Sequence, residues 1–260
     1  MSTTQSDPTL LAANVSDCCV AGFQHAGAPT GSIAQIASFP TYIASPAPSA
    51  NRDAARKVIL FLADIYGPQH LNNQLIQDFF ATKGFEVLGP DYFLGDPIQN
   101  HTDEPGFDRP TWVAKSRAQV DAHFPAWLDA VKQRYSTTET KYFAVGYCFG
   151  APYTVQLGAA GSILSAAAFA HPAFLSEADI AAVRTPLLMS CAEKDFLFTA
   201  DARRRAEDIL VENGVQFHVQ VFSGMEHGFA AKGDARDPDV RWAKEESARG
   251  VVAWFDKYAA

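Results

Sequence analysis

Cysteine is scarce in this sequence, and the spacing of the few present excludes two uses. The four fall at 18, 19, 148 and 191, without the regular intervals of a disulfide framework or the paired ligands of a zinc site. Reduced thiols and no bound metal are expected. Cations are also in short supply: 21 Lys and Arg face 29 Asp and Glu, for a formal net charge of -8. No nucleic-acid partner is expected, because phosphate binding calls for clustered Lys and Arg. The one cluster, Arg203, Arg204 and Arg205, occupies consecutive positions that splay around a helix. No uncharged run approaches the length that spans a bilayer. The opening MSTTQSDPTL has neither the basic segment nor the apolar stretch of a signal peptide. A cytoplasmic protein with no membrane partner is expected.

Apolar residues, by contrast, are plentiful, at 48% against 19% charged, enough for one large core. Residues 1–16 read as a loose polar leader and 17–260 as a single domain. Strands are expected at Phe39 to Ala44, Lys57 to Ala63, Phe85 to Gly89, Ser165 to Ala170, Thr185 to Cys191 and Gln216 to Phe222. Helices are expected near Leu71 to Lys83, Trp112 to Tyr135, Ala200 to Asn213 and Pro238 to Tyr258. KVILFLA, from Lys57, is a nearly continuous apolar run, as in a strand covered on both faces. From Phe93 to Pro110 the chain is rich in Gly, Pro and Asp and has no periodicity, which reads as one wall of a substrate entrance.

The chemistry concentrates in KYFAVGYCFGAPY, from Lys141 to Tyr153. Tyr142 to Val145 makes a short buried strand, Gly146 and Gly150 bracket Cys148, and Pro152 suits the first turn of a helix. A strand, a tight turn and a helix in that order present a nucleophile at the tip. Asp195 and His227 each follow an apparent strand, so the chain order is nucleophile, acid, histidine, the order of an α/β-hydrolase. A thiol needs a base to become the attacking thiolate, and the base needs an acceptor on its other nitrogen. Cys148, His227 and Asp195 fill those roles. Taken as an ordinary histidine that must be neutral to act, His227 predicts activity falling below about pH 6. Cys18 and Cys19, with no resolving partner near them in sequence, read as structural thiols, Cys191 as inert core and His25 as structural or surface.

These residues resemble the dienelactone hydrolase family. The resemblance is carried by VGYCFG at 145–150, EKD at 193–195, MEHGF at 225–229, LADIYG at 62–67 and GPDYF at 89–93. CCVAGFQHAGAPTG, from Cys18, is similar to the start of fungal members. The resemblance implies an α/β fold of the α/β-hydrolase type, with a mostly parallel central sheet of about seven or eight strands and helices on both faces. It implies cysteine-dependent hydrolysis of a small-molecule ester or lactone, carboxymethylenebutenolidase-like, with no metal or organic cofactor. The backbone N–H groups of Ile65 and Phe149 would form the oxyanion hole.

Further candidates for touching substrate or modulating the thiol are Asp64, Tyr66, Tyr92, Phe93, His171 and Phe229. Asp64 stands where bacterial members carry glutamate, and it reads equally as a modulator of the thiol or a shaper of its loop. The arginines that hold small anionic lactones in the family are replaced here by Leu94 and by Ala231, with Lys232 beside it. An apolar or aromatic ester or lactone therefore fits better. The same triad would serve a lactonase, thioesterase or cyclase of a biosynthetic pathway. A non-catalytic binding protein on this fold is a reading of another class.

Overall fold

A computed structural model describes residues 9–15, 19, 22–48 and 55–259. Eight strands form one sheet: β1 (Ser32–Ile36), β2 (Phe39–Ala44), β3 (Lys57–Leu62), β4 (Glu86–Pro90), β5 (Lys141–Tyr147), β6 (Leu164–Ala170), β7 (Leu187–Lys194) and β8 (Phe217–Glu226). Their order is β1-β2-β4-β3-β5-β6-β7-β8. β2 is antiparallel to both β1 and β4, and every other neighbouring pair is parallel. Seven helices accompany the sheet among the described residues: α1 (Leu71–Thr82), α2 (Arg109–Tyr135), α3 (Ala151–Leu157), α4 (Glu177–Ala182), α5 (Ala200–Glu212), α6 (Phe229–Lys232) and α7 (Pro238–Lys257). The expected mostly parallel sheet with helices on both faces is present.

β3 shows why its apolar run is continuous. Val58, Leu60 and Leu62 join the core that α2, α3 and α5 cover, with Trp127, Val155 and Leu210. Ile59 and Phe61 join the opposite core, with Phe80 of α1 and Phe255 of α7. Side chains alternate across a strand, so a polar residue at either parity would be buried without a partner.

The structure departs from the sequence expectations in three places. α2 begins at Arg109, three residues before Trp112, because Asp108 accepts a hydrogen bond from the Thr111 N–H and Pro110 lies in the first turn. The segment from Phe93 to Pro110 contains a 3-10 turn at Ile98–His101. Residues 9–15, read as part of a loose leader, dock on the fold: the N–H groups of Leu11 and Ala12 donate to the Leu175 carbonyl, and that of Ala13 donates to the Leu197 carbonyl. Leu11 and Ala12 are buried, and that apolar contact is what the polar composition concealed.

The turn after β5 depends on two close approaches. A Cβ on Gly150 would stand 2.1 Å from the Leu62 carbonyl oxygen, and one on Gly146 would stand 2.6 Å from the Gly150 carbonyl oxygen. Backbone carbonyls cannot swing aside as a side chain can. Gly150→Ala is therefore expected to cost about 3 kcal/mol of stability, read as a lower urea midpoint; an unchanged midpoint would contradict the contact with β3.

Candidate active site

Cys148 begins the turn that links β5 to α3, and its φ is +49°. That left-handed conformation costs a side-chain-bearing residue about 1–2 kcal/mol. It is held by the Ala173 N–H, which donates to the Cys148 carbonyl at 3.1 Å. Asp195 follows β7 directly and His227 follows β8, where Gly228, with φ +92°, turns the chain into α6. The three residues thus lie at the carboxyl ends of β5, β7 and β8. His227 Nε2 lies 3.3 Å from Cys148 Sγ. On its other side, Nδ1 is 3.1 Å and 3.0 Å from Asp195 Oδ1 and Oδ2. Asp195 Oδ1 is fixed in turn by the N–H groups of Leu197 and Phe198, at 2.9 and 3.1 Å. The side chains of His227 and Asp195 are only 1% and 2% exposed.

Burial disfavours the charged imidazole, but the Asp195 carboxylate and the Cys19 sulfur beside the ring outweigh it and hold the His227 pKa above its ordinary value. The expected loss of activity below about pH 6 assumed an unperturbed histidine. With the pKa raised, His227 keeps its proton through neutral pH. That charged ring stands 3.3 Å from Cys148 Sγ through Nε2.

Cys19 is the residue that local reasoning missed. Its side chain is buried, as expected, and its Sγ lies 3.8 Å from Cys148 Sγ, across 129 positions of sequence. The paired cysteines at 18 and 19 were the available signal, although Cys18 lies outside the described residues. The donor atoms of Cys19, Cys148 and His227 all fall within 4.8 Å of one another. This is the one such grouping among the described residues, and at three donors it is one short of a structural zinc site. Cys191 is buried in β7, and burial pushes its thiol well above the usual range.

The remaining candidates separate by position. Asp64 is buried; its Oδ1 accepts from the Tyr66 N–H at 3.1 Å and the Asn73 amide at 2.8 Å, which shapes the loop after β3. Its bonds among the described residues do not run to Cys148. Tyr66 packs on His70, with centroids 4.7 Å apart. Its pKa is raised to about 12, by burial first and then by Asp64 and Cys19. Tyr92 and Phe93 are buried: the Tyr92 hydroxyl donates to the Ala63 carbonyl, and both rings pack on Phe149. Ile65 and Phe149 are buried, on the loop after β3 and on the turn that touches β3 at Leu62.

His171, fully buried with φ +35°, stands edge-on to the His227 ring at 5.0 Å, and its two ring nitrogens have no partner among the described residues. Burial, then the charges of His227 and Lys232, hold it neutral. Phe229 packs on His171 at 5.9 Å. Beside His227 opens a cavity of about 590 Å³ whose lining includes Phe23, Phe196, Met225, Phe229, Lys194 and Lys232. His25 is structural: its Nε2 meets the Gly233 carbonyl at 2.8 Å, and Lys244 bonds its Nδ1. No described helix is long and apolar enough to cross a membrane.

A model of the dienelactone hydrolase family matches residues 39–259. Dienlactone hydrolase 1 of Gibberella moniliformis is 36% identical over 260 residues, covering 98% of each chain. The human carboxymethylenebutenolidase homolog is 27% identical over 208 residues, covering 78% of this chain and 83% of its own. Among solved structures, a putative dienelactone hydrolase from Klebsiella pneumoniae superposes with a TM-score of 0.71 at 19% identity, covering 89% of this chain and all of that one.

Proposed function

The chain belongs to the dienelactone hydrolase family, and from that premise we propose that it hydrolyses an ester or lactone with Cys148 as nucleophile. The reading is carried by the continuous contact from Cys148 Sγ through His227 to Asp195, at 3.3 and 3.0 Å. The Cys148 thiolate adds to the carbonyl carbon. The resulting oxyanion is met by the N–H groups of Ile65 and Phe149, each such donor worth about 3 kcal/mol in the transition state. Collapse breaks the acyl–oxygen bond, and the His227 imidazolium gives its proton to the departing alkoxide. A thioester on Cys148 remains. The neutral His227 then takes a proton from water as that water attacks the thioester; collapse returns the thiolate and releases the acid. Asp195 holds the ring with Nδ1 protonated throughout.

Phe23, Phe196, Met225 and Phe229 give the cavity beside His227 an apolar wall, which supports an apolar or aromatic acyl group. The test is a panel of p-nitrophenyl esters with a small anionic dienelactone in parallel. Turnover should be greatest on the larger apolar acyl groups. Turnover of the dienelactone alone would overturn the substrate class, and turnover of neither, with Cys148 unreactive to iodoacetamide, would overturn the catalytic reading.

A further inference from the structure

We propose that Cys148 and Cys19 form a reversible disulfide driven by peroxide, with Cys148 the sulfur that is oxidised and Cys19 the thiol that resolves it. The proposal rests on the reading of Cys148 as the nucleophile. Its own observation is the second sulfur: Cys19 Sγ is buried 3.8 Å from Cys148 Sγ, and both lie within 4.8 Å of His227 Nε2. A disulfide needs the sulfurs at about 2 Å, so each must move by roughly 1 Å, within reach of side-chain rotation.

Anchors on both sides bring Cys19 to this place. Before it, the Ala13 N–H donates to the Leu197 carbonyl at 2.9 Å. After it, the Phe23 N–H donates to the Lys232 carbonyl at 3.0 Å, and Gly22 lies so close to the Lys232 stem that an added Cβ would stand 2.9 Å from the lysine Cβ. Leu197 lies two residues beyond Asp195, and Lys232, at the end of α6, five beyond His227, so both anchors lie on the segments that follow the catalytic pair.

The chemistry balances with a hydroperoxide as the only added reagent. The Cys148 thiolate attacks the O–O bond, forming a sulfenic acid as the leaving oxygen takes a proton to become water. Cys19, giving its proton to His227, then attacks the Cys148 sulfur; the S–S bond forms, the S–O bond breaks, and the hydroxide leaves as water with that proton. Two thiols lose two electrons and the peroxide gains them. A dithiol reverses the bond by exchange. Without Cys19, the sulfenic acid is open to further oxidation to the sulfinic acid, which thiols do not reduce.

The test uses the full chain with a chelator present, so that no metal bridges the sulfurs. After hydrogen peroxide and tryptic digestion without reductant, mass spectrometry should find residues 1–52 linked to residues 142–184. Hydrolysis of p-nitrophenyl acetate should fall at least about tenfold and return with dithiothreitol. Because Cys18 and Cys19 share a peptide, Cys18→Ser should keep the link. Cys19→Ser and Cys19→Ala should lose it, with Cys148 as sulfinic acid and activity that dithiothreitol does not restore. No link in the wild type, or a link that is lost in Cys18→Ser, would overturn the proposal. The link is read independently of turnover, so a linked protein without esterase activity would count against the hydrolase reading alone, and an active protein without the link against the disulfide alone.

Discussion

Replacing Cys148 with alanine lowers kcat/KM on a p-nitrophenyl ester by at least about 10⁴-fold, the scale lost when a nucleophile is deleted from a triad. The fold should survive, because alanine carries the same Cβ at φ +49° and pays no more than cysteine for the left-handed conformation. The cost is confined to the contacts of Sγ with His227 and Cys19. Cys148→Ser should be nearly as inactive, since a hydroxyl holds its proton far more tightly than a thiol and a His227 that is already protonated cannot accept it. Melting curves and steady-state kinetics on the three proteins check this; retention of wild-type kcat/KM by the alanine variant would remove Cys148 from the mechanism.

Asp195→Asn is expected to lower kcat/KM by about 10⁴-fold at neutral pH, as the equivalent change does in serine triads. Asp195 Oδ1 is committed to the N–H groups of Leu197 and Phe198, so an asparagine oxygen is retained there. Its NH₂ group then occupies the place of Oδ2, 3.0 Å from His227 Nδ1. An NH₂ donates, so Nδ1 must give up its proton, and the neutral ring carries its hydrogen on Nε2. That nitrogen can no longer accept a proton from Cys148. The same change removes the carboxylate that holds the His227 pKa up against burial.

Iodoacetamide gives an independent reading, because only the thiolate reacts. In the wild type the proton stays on His227 through neutral pH, and the alkylation rate of Cys148 reads the charge of the ring 3.3 Å from its sulfur. Turnover is lost on the alkaline side, as the imidazolium that protonates the leaving group disappears. In Asp195→Asn the alkylation profile should shift toward alkaline pH. An unshifted profile would show that Asp195 does not set the charge of the ring.

Sequence alone was enough for those features whose steric demands leave a local trace. The turn at Cys148 was legible because Gly146 and Gly150 have no room for a Cβ, and the central strands β3, β5 and β6 were legible because they are buried on both faces and nearly continuous in apolar residues. The start of α2 was not legible, because its cap, Asp108, and its first-turn proline, Pro110, close a stretch without periodicity. β1 was not legible, since Ser32–Ile36 is a largely exposed edge strand. α6 has four residues, too few to show a period. Tyr92 and Phe93 were recognisable residues in an unrecognised place, because a motif does not say which way a ring points. The approach of Cys19 to Cys148 left no local pattern, whereas His171 was marked by its place just after β6.

The docking of Leu11, Ala12, Ala13, Cys19 and Phe23 also constrains the order in which the protein can be built. Their partners include Leu175, Leu197 and Lys232, all of which leave the ribosome much later. Bringing Cys19 to Cys148 closes a loop of 129 positions, at a chain-entropy cost of about 4 kcal/mol. Nothing offsets that cost until the loops after β6, β7 and β8 exist. The nascent chain therefore carries its first-made segment undocked through most of synthesis, and the two sulfurs meet only when nearly the whole sequence has emerged.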